Sequence, residues 1–385
     1  MTSGLSITEK LRLAFRLTFL APWQILATVL RSFFIALARG IPPRLFLTCA
    51  VIKVVLRSFS PRQIQYLSLS TKDAYEAWIQ RRTLKAHKKN DKPVMERLSY
   101  HVESLGESGA SLLWLGDYRK AQKVVYFFHG GGYFAPLRPG HLEWCWQAYI
   151  ETGIEMNVEV AVAVLEYTLC PHARYPVQLR QAAAGLAHLL SLGIQPQDLI
   201  IGGDSAGANL AAQLLCHFVQ PQPTIWHTEL SSPLGGCFLV SPLLTWQTNS
   251  ASFLENGWID MLSASSVDRS TTELLGCKCT KEIVHGSAGV AFPLDMEDSC
   301  LGELETVMSH LYVTAGQHEV FRDQAIAFVQ EVRHSSPAIR VQFEIQENQA
   351  HDFILLEGQE ERIGKCMQAM KKWFASLLVA DCQAL

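Results

Sequence analysis

The sequence predicts an α/β fold in which a mostly parallel central sheet is flanked by helices. Short apolar segments typical of buried strands alternate along the chain with longer segments of helical pattern, which favours a parallel sheet. The chain has 385 residues, of which 49% are hydrophobic and 18% are charged, so it can bury a large core. We therefore expect one α/β domain over residues 61–385, preceded by a different N-terminal region, residues 1–60.

Individual elements can be placed from these patterns. Apolar runs predict strands at residues 124–128, 199–201, 238–242, 311–315 and 340–345. Helical patterns occur at residues 176–192, 206–218 and 324–333. The stretch 245–302 has no clean period of either kind and carries the large side chains Trp246, Phe253, Trp258 and Met261. We interpret this stretch as an insertion into the domain.

The pentapeptide Gly203-Asp204-Ser205-Ala206-Gly207 lies between a predicted strand and a predicted helix. A serine hydroxyl is a poor nucleophile unless the backbone holds it out on a sharp strand-to-helix turn. Small neighbours, here Gly203 and Gly207, avoid a collision in such a turn. The pattern therefore predicts that Ser205 is a nucleophile.

A second motif, His129-Gly130-Gly131-Gly132-Tyr133, directly follows the predicted strand at 124–128. Three successive glycines allow backbone N–H groups to approach a substrate oxygen closely. We interpret His129 as a hydrogen-bonded residue that shapes this loop and not as a proton carrier. The glycine loop precedes the serine turn by 76 residues, and the two motifs are far more specific together than either is alone.

These two motifs resemble those of the hormone-sensitive-lipase-like branch of the α/β-hydrolase superfamily, over about residues 123–353. The resemblance implies an α/β-hydrolase fold in which the N-terminal region and the insertion at 245–302 form a cap over the active site. It also implies an oxyanion hole made by the backbone N–H groups of Gly131, Gly132 and Ala206. His129, Gly130 and Asp204 would support these motifs without performing catalysis.

The serine needs a base, which follows it in the chain in this fold. His351 lies in the segment Gln349-Ala350-His351-Asp352-Phe353, just after the predicted strand at 340–345. The family has the pattern H-x-F at this place. We therefore predict that His351 is the base.

The acid that orients the base is expected between the serine and the histidine. Glu319 follows the predicted strand at 311–315, at the position where the family carries its acid, which is more commonly aspartate. Asp323 is the alternative, although an acid there also suits the first turn of the predicted helix. We predict Glu319 as the third member of the triad.

The resemblance implies hydrolysis of a carboxylic ester through an acyl-enzyme, with no metal and no organic cofactor. More loosely, the chain resembles steryl-acetyl-hydrolase-like and secondary-metabolite hydrolases of fungi, which implies a small-molecule ester such as the acetyl ester of a sterol or another hydrophobic metabolite. Two alternatives remain open on the same scaffold: a non-hydrolytic small-molecule receptor and an acyltransferase. No basic nucleic-acid motif is present in the catalytic part.

The N-terminal region is basic and apolar. It contains one acid, Glu9, and eight basic residues: Lys10, Arg12, Arg16, Arg31, Arg39, Arg44, Lys53 and Arg57. Pro22 and Arg31 interrupt its apolar runs, so that the longest, Leu17–Leu30, is shorter than the about 20 residues of a spanning helix. Two compatible roles are open: a cap helix over the active site and attachment to an anionic membrane surface.

Other signals concern location. An arginine-rich, acid-poor start also fits a transit peptide, whereas a clear secretory cleavage site is missing. The C-terminal Cys382-Gln383-Ala384-Leu385 formally matches a prenylation signal, but Gln383 is not aliphatic. The ten cysteines have no disulfide-dense spacing, which favours a reducing compartment. We expect an intracellular protein associated with a membrane such as that of the endoplasmic reticulum.

Overall fold

The computed structural model describes residues 5–286 and 289–380, and the predicted prenylation signal lies outside them. Its centre is an eight-stranded sheet of order β1-β2-β4-β3-β5-β6-β7-β8. The strands are β1 Val102–Ser104, β2 Ser111–Leu115, β3 Lys123–Phe128, β4 Val160–Glu166, β5 Leu199–Asp204, β6 Gly236–Val240, β7 His310–Gly316 and β8 Arg340–Gln346. β2 pairs antiparallel with β1 and β4, and the other pairs are parallel. The mostly parallel sheet is therefore confirmed.

Sixteen α-helices surround the sheet within the described ranges. They are α1 Ile7–Phe15, α2 Ala21–Ala38, α3 Pro43–Ser58, α4 Pro61–Leu67, α5 Thr71–Lys89, α6 Lys92–Glu96, α7 Pro139–Cys145, α8 Glu151–Met156, α9 Val177–Ser191, α10 Ala206–Val219, α11 Ala251–Asn256, α12 Ala264–Leu275, α13 Lys281–Gly286, α14 Arg322–Ser335, α15 Phe353–Gln359 and α16 Lys365–Ala380. The predicted strands and helices outside the N-terminal region and the insertion all lie on observed elements, with ends that differ by at most three residues.

The core lies on both faces of the sheet. All six residues of β3 and all six of β5 are buried, as expected for central parallel strands covered on both sides. Leu186 of α9, Leu214 of α10 and Phe328 of α14 belong to the apolar cluster on one face. Helices α5, α7 and α16 contribute to the cluster on the other face. Apolar packing on both faces holds the strands in place. The loops at the carboxyl ends of the strands contain the candidate site residues.

The insertion at 245–302 is more regular than its sequence suggests. It contains α11, α12 and α13, although its sequence has no clean helical period. Its helices have local end signals: the Ser263 side chain and that of Ser266 form a capping box, and Gly276 ends α12 with a φ of +78°. Periodicity was hard to recognise because α11 and α13 have only six residues each.

The N-terminal region is also continuous. A π-helical turn, Arg16–Leu20, joins α1 to α2, so that one helical stretch runs from Ile7 to Ala38. Pro22 therefore interrupts the apolar run in the sequence but not the helix, because it lies in the first turn of α2, directly after the π-turn. Within the described residues this is the one helix that is long and apolar enough to cross a membrane, a test that N-terminal signal sequences also meet.

Two cysteines are paired in a way that spacing does not predict. A disulfide joins Cys216 of α10 to Cys300, 84 residues later in the chain. Local spacing carries no signal for this pair, because the two cysteines come from distant segments of the chain.

Candidate active site

Ser205 lies on a strained turn between β5 and α10. Its φ is +51° and its ψ is −114°, values that few non-glycine residues adopt. A Cβ atom at Gly203 or at Gly207 would collide with the carbonyl oxygen of Phe128 in β3. Glycine is therefore required on both sides of the serine, and the turn has the geometry of a nucleophile elbow.

His351 lies in hydrogen-bonding contact with Ser205. Its Nε2 is 2.9 Å from the serine Oγ, across 146 residues of sequence. The imidazole is buried, and burial lowers the pKa of His351 to about 3. Neutral Nε2 can therefore accept the serine proton. The carboxylate oxygen Oδ2 of Asp352 lies 3.4 Å from the same nitrogen.

Glu319 is fully buried in the loop after β7. Its Oε2 accepts hydrogen bonds from the Ser241 hydroxyl (2.6 Å) and from the Gly316 backbone N–H (2.9 Å). Burial raises the pKa of Glu319, and the charge of Asp260 adds to this effect, while the two hydrogen bonds oppose it. Within the described residues, neither Oε1 of Glu319 nor Nδ1 of His351 has a hydrogen-bond partner. A direct Glu319–His351 hydrogen bond is thus missing, although pairing these atoms would satisfy both.

Asp323 is used elsewhere. Its Oδ2 accepts from the backbone N–H of Ser252 (2.7 Å), and its Oδ1 accepts from Arg322 Nε (2.9 Å). The carboxylate lies in the first turn of α14, as its alternative structural role predicted. The geometry therefore favours Glu319 over Asp323 as the acid.

The triple-glycine loop lies beside the elbow. Gly131 and Gly132 have φ values of +107° and +60°, and a Cβ on Gly131 would lie 2.9 Å from the Ala135 carbonyl oxygen. The N–H groups of Gly131, Gly132 and Ala206 donate no hydrogen bond to any described residue. All three residues line the same cavity as Ser205. Free backbone donors beside a nucleophile are what an oxyanion hole needs.

A buried pair, Asp204 and His141, holds this loop. Asp204 accepts from the Gly130 N–H (2.9 Å) and lies 3.1 Å from His141 Nε2. The Arg138 N–H donates to His141 Nδ1, which fixes the proton on Nε2. Although burial acts in the opposite direction, the electrostatic interaction with His141 and the hydrogen bonds from His141 and Gly130 keep the pKa of Asp204 below its ordinary value. Asp204 is therefore bonded to the start of the glycine loop through Gly130.

His129 makes contacts that fix the start of the glycine loop. Its ring is fully buried and stacks on Tyr167 with a centroid distance of 4.5 Å, and its Nδ1 lies 2.8 Å from the Gly130 carbonyl oxygen. Burial, with a smaller contribution from His141, lowers the pKa of His129 to about 4. The ring is neutral at physiological pH and fixes the start of the glycine loop.

The cavity at Ser205 is small and mostly apolar. It has a volume of about 120 Å³. The N-terminal region contributes Ile52 and Leu56 of α3 to its wall, and the insertion contributes Met261 and Val267. Both segments that were expected to form a cap therefore line the cavity. Of the large side chains singled out in the insertion, Met261 lines it, whereas Trp258 is 61% exposed.

Sequence reasoning missed three residues that support the site. Ser241 hydrogen-bonds to Glu319, His141 bonds to Asp204, and Asp260 accepts the backbone N–H of His351 (3.1 Å). Ser241 has a φ of +47° directly after β6, but nothing in the sequence marks a strained serine. These residues act through contacts between distant segments, and local pattern carries no signal for such contacts.

The fold and the elbow together define a protein of the α/β-hydrolase class. A sequence model of the alpha/beta hydrolase fold family matches residues 125–355, and the chain belongs to this family. The resemblance to the hormone-sensitive-lipase-like branch is confirmed as well.

Three similar proteins illustrate this membership. An esterase of Acinetobacter venetianus is 30% identical over 142 residues, which cover 37% of this chain and 42% of that protein. A structure of fungal esterases from Rhizomucor miehei has a TM-score of 0.65 at 18% identity, and covers 90% of this chain and 99% of that one. An esterase from the bacterial hormone-sensitive lipase family has a TM-score of 0.57 at 20% identity. This match covers 86% of this chain and 99% of that one. The chain thus matches less than half of the first relative, and the two structures support the fold.

Proposed function

We propose that the protein is a serine hydrolase that cleaves a carboxylic ester through Ser205, His351 and Glu319. The observation that carries the proposal is the 2.9 Å contact between Ser205 Oγ and His351 Nε2, on an elbow that lines a cavity. A buried, neutral histidine in contact with a serine hydroxyl is the arrangement that activates this nucleophile.

In the proposed reaction, Ser205 Oγ attacks the ester carbonyl while His351 Nε2 accepts the hydroxyl proton. The tetrahedral oxyanion is stabilised by the N–H groups of Gly131, Gly132 and Ala206, and each such donor contributes about 3 kcal/mol at the transition state. His351 then protonates the departing alcohol. The same histidine activates the water that hydrolyses the acyl-enzyme, so the reaction needs no cofactor.

Glu319 would hold the His351 tautomer with its proton on Nδ1. The unpartnered atoms Oε1 of Glu319 and Nδ1 of His351 support this role, because each is buried and the two are chemically complementary. The contact closes when substrate binds, since catalytic hydrogen bonds are often long without substrate.

The cavity favours a hydrophobic small-molecule ester. Phe134, Leu243 and Phe321 line it together with the cap residues. The chemical class is an ester with an apolar acyl or alcohol part, such as the acetyl ester of a sterol or another hydrophobic metabolite, which is the substrate that the motifs imply.

We further propose that residues 1–60 both cap the site and attach the protein to a membrane surface, with residues 61–385 as the catalytic domain. Along the helical stretch Ile7–Ala38, exposed apolar side chains recur every three or four residues. They are Ile7, Leu11, Phe15, Phe19, Trp23, Leu26, Leu30, Phe34 and Leu37, and we call them the apolar stripe. Such a stripe suits the interface of a bilayer.

The opposite side of this helix is bound to the rest of the protein along much of its length. Arg16 Nη1 donates to the Ser58 carbonyl oxygen (2.5 Å), Ser32 Oγ donates to that of Trp258 (3.0 Å), and Arg39 Nη1 donates to Asn256 Oδ1 (2.7 Å). A helix whose two ends are both bonded to other segments of the protein lies along the surface of the protein. This favours attachment in the plane of an intracellular membrane over a span, and the basic residues favour anionic lipids.

The test is hydrolysis of p-nitrophenyl esters from acetate to decanoate by the wild type and by Ser205→Ala. We expect a chain-length optimum for the wild type, and a loss of kcat of at least about 10³-fold in the variant, because the nucleophile is removed. Adding an alcohol acceptor and measuring transesterification separates a hydrolase from an acyltransferase. A folded wild type that is inert toward every ester would overturn the proposal and favour a receptor.

A further inference from the structure

Asp260 is a buried carboxylate between α11 and α12 that binds two catalytic loops at once. Its Oδ1 accepts hydrogen bonds from the backbone N–H groups of His351 (3.1 Å) and Met261 (2.7 Å). Its Oδ2 accepts from the backbone N–H of Val320 (2.8 Å). Val320 directly follows Glu319, the proposed acid. One side chain from the cap insertion therefore binds the backbone of the proposed base, His351, and the backbone of the residue next to Glu319.

These two loops follow β7 and β8 and lie about 30 residues apart in the chain. The His318 N–H also donates to the Gln349 carbonyl oxygen (2.8 Å), which joins the loops at their outer part. Asp260 adds the links at the catalytic positions. Asp260 is fully buried, and burial raises its pKa to about 6. The side chain is therefore a carboxylate at neutral pH. An ionised acceptor binds backbone N–H groups more strongly than a neutral one.

Lys53 of α3 holds the segment around Asp260 from the N-terminal region. Its ammonium group donates to the carbonyl oxygens of Gly257 (2.7 Å) and Leu262 (3.3 Å), which flank Asp260 in the chain. Its positive charge also favours the ionised form of Asp260. Asn256, in the same segment, donates to the Glu319 carbonyl oxygen (2.9 Å). The N-terminal region is therefore connected to both catalytic loops through residues 256–262.

We propose that Asp260 is a positioning residue, which holds the His351 and Glu319 loops in register for catalysis, and that Lys53 fixes Asp260. The proposal rests on the proposed ester hydrolysis. It assigns to the cap insertion a role in aligning the triad as well as in lining the cavity.

The test compares Asp260→Asn with Asp295→Asn. Asp295 is the matched control, because it is also buried and lies in the same insertion. Its carboxylate accepts from the Trp246 backbone N–H (2.9 Å) and from the Thr245 hydroxyl (2.8 Å), and these contacts involve neither catalytic loop. In Asp260→Asn the amide NH₂ replaces one acceptor oxygen and faces a backbone N–H that it cannot bind.

We expect Asp260→Asn to lower kcat for a soluble p-nitrophenyl ester by about 10²-fold with little change in KM, since a small misplacement of catalytic groups has an effect of this size. The rate at which a fluorophosphonate labels Ser205 should fall by a similar factor. Asp295→Asn should keep both rates, while the two variants lose similar thermal stability. Unchanged kcat and labelling in folded Asp260→Asn would overturn the proposal, as would equal losses in both variants.

Lys53→Met is a second variant that leaves Asp260 in place, and it tests the proposal even if Asp260→Asn does not fold. We expect a smaller loss of kcat in the same direction. Where Asp260→Asn folds, the double variant should be no slower than Asp260→Asn alone, because the two residues act through one contact network. Fully additive losses would contradict the role of Lys53. The labelling rate does not require turnover, so it separates failure of this proposal from failure of the proposed function: a wild type that is labelled at Ser205 but hydrolyses no ester refutes only the latter.

Discussion

The central sheet and the N-terminal helix are both rich in large apolar side chains, yet they use them differently. Phe127 and Phe128 of β3 are fully buried between two layers of helices. In the helical stretch Ile7–Ala38, Trp23 is 68% exposed and Phe34 is 75% exposed. The comparison shows that apolar composition alone does not define a core, because only the sheet has partners on both sides. The helix has one partnered side and one apolar side left in contact with solvent.

The two regions also differ in charge. Eight basic residues and one acid give the first 57 residues a charge of +7, so the rest of the chain carries −10 to reach the total of −3. Attraction of a basic segment to anionic lipids is expected to orient the N-terminal helix toward the bilayer. α3 connects the regions, since its Ile52 and Leu56 line the cavity and its Lys53 holds the insertion.

The largest effect is expected within the catalytic body. Glu319→Gln should lower kcat by about 10³- to 10⁴-fold, because a neutral amide no longer holds the tautomer of His351 or stabilises its imidazolium. Steady-state kinetics with a p-nitrophenyl ester measures this. Asp323→Asn is the control and should stay close to the wild type. A larger loss in Asp323→Asn than in Glu319→Gln would exchange their assignments.

The second effect concerns the apolar stripe. Replacing Leu30, Phe34 and Leu37 together by serine should weaken binding to vesicles of phosphatidylcholine and phosphatidylserine by about 10²-fold or more, because each large side chain contributes about 1.5–3 kcal/mol when buried. Co-sedimentation with vesicles measures the binding. Trp226→Ser is the matched control, since Trp226 is 78% exposed and lies outside the N-terminal region. Equal losses of vesicle binding in both variants, or a wild type that does not bind vesicles, would show that the apolar stripe is not a lipid-binding surface.

The smallest effect is a shift in the pH profile. Because burial lowers the pKa of His351 to about 3, the base stays unprotonated well below the ordinary histidine pKa of about 6.5. The acid limb of kcat/KM, measured down to the lowest pH at which the protein stays folded, should therefore have its midpoint below that value. A midpoint at or above it would mean that an ionised Glu319 holds a proton on the imidazole and outweighs the effect of burial.

Much of the catalytic body could be predicted from local sequence. Ser205 and the glycines around it are recognisable because a strained turn accepts few residue types, and those types stand next to each other in the chain. The buried strands are recognisable as short apolar runs. His351 could be placed because its position follows the last strand. In each case a physical requirement is met by neighbouring residues.

The sequence by itself determined five of the eight strands, the elbow and the glycine loop, since each depends on what a few consecutive residues allow the backbone to do. Only the tertiary structure decided that Asp260 contacts His351 across 91 residues, that Asp204 bonds to Gly130 across 74, and that the apolar stripe stays exposed. Such contacts depend on how separate segments pack, and many residue pairs of the same types satisfy the same local pattern. The physical reason is that hydrogen bonding and burial are properties of pairs of segments, whereas the pattern of one segment specifies only its own conformation.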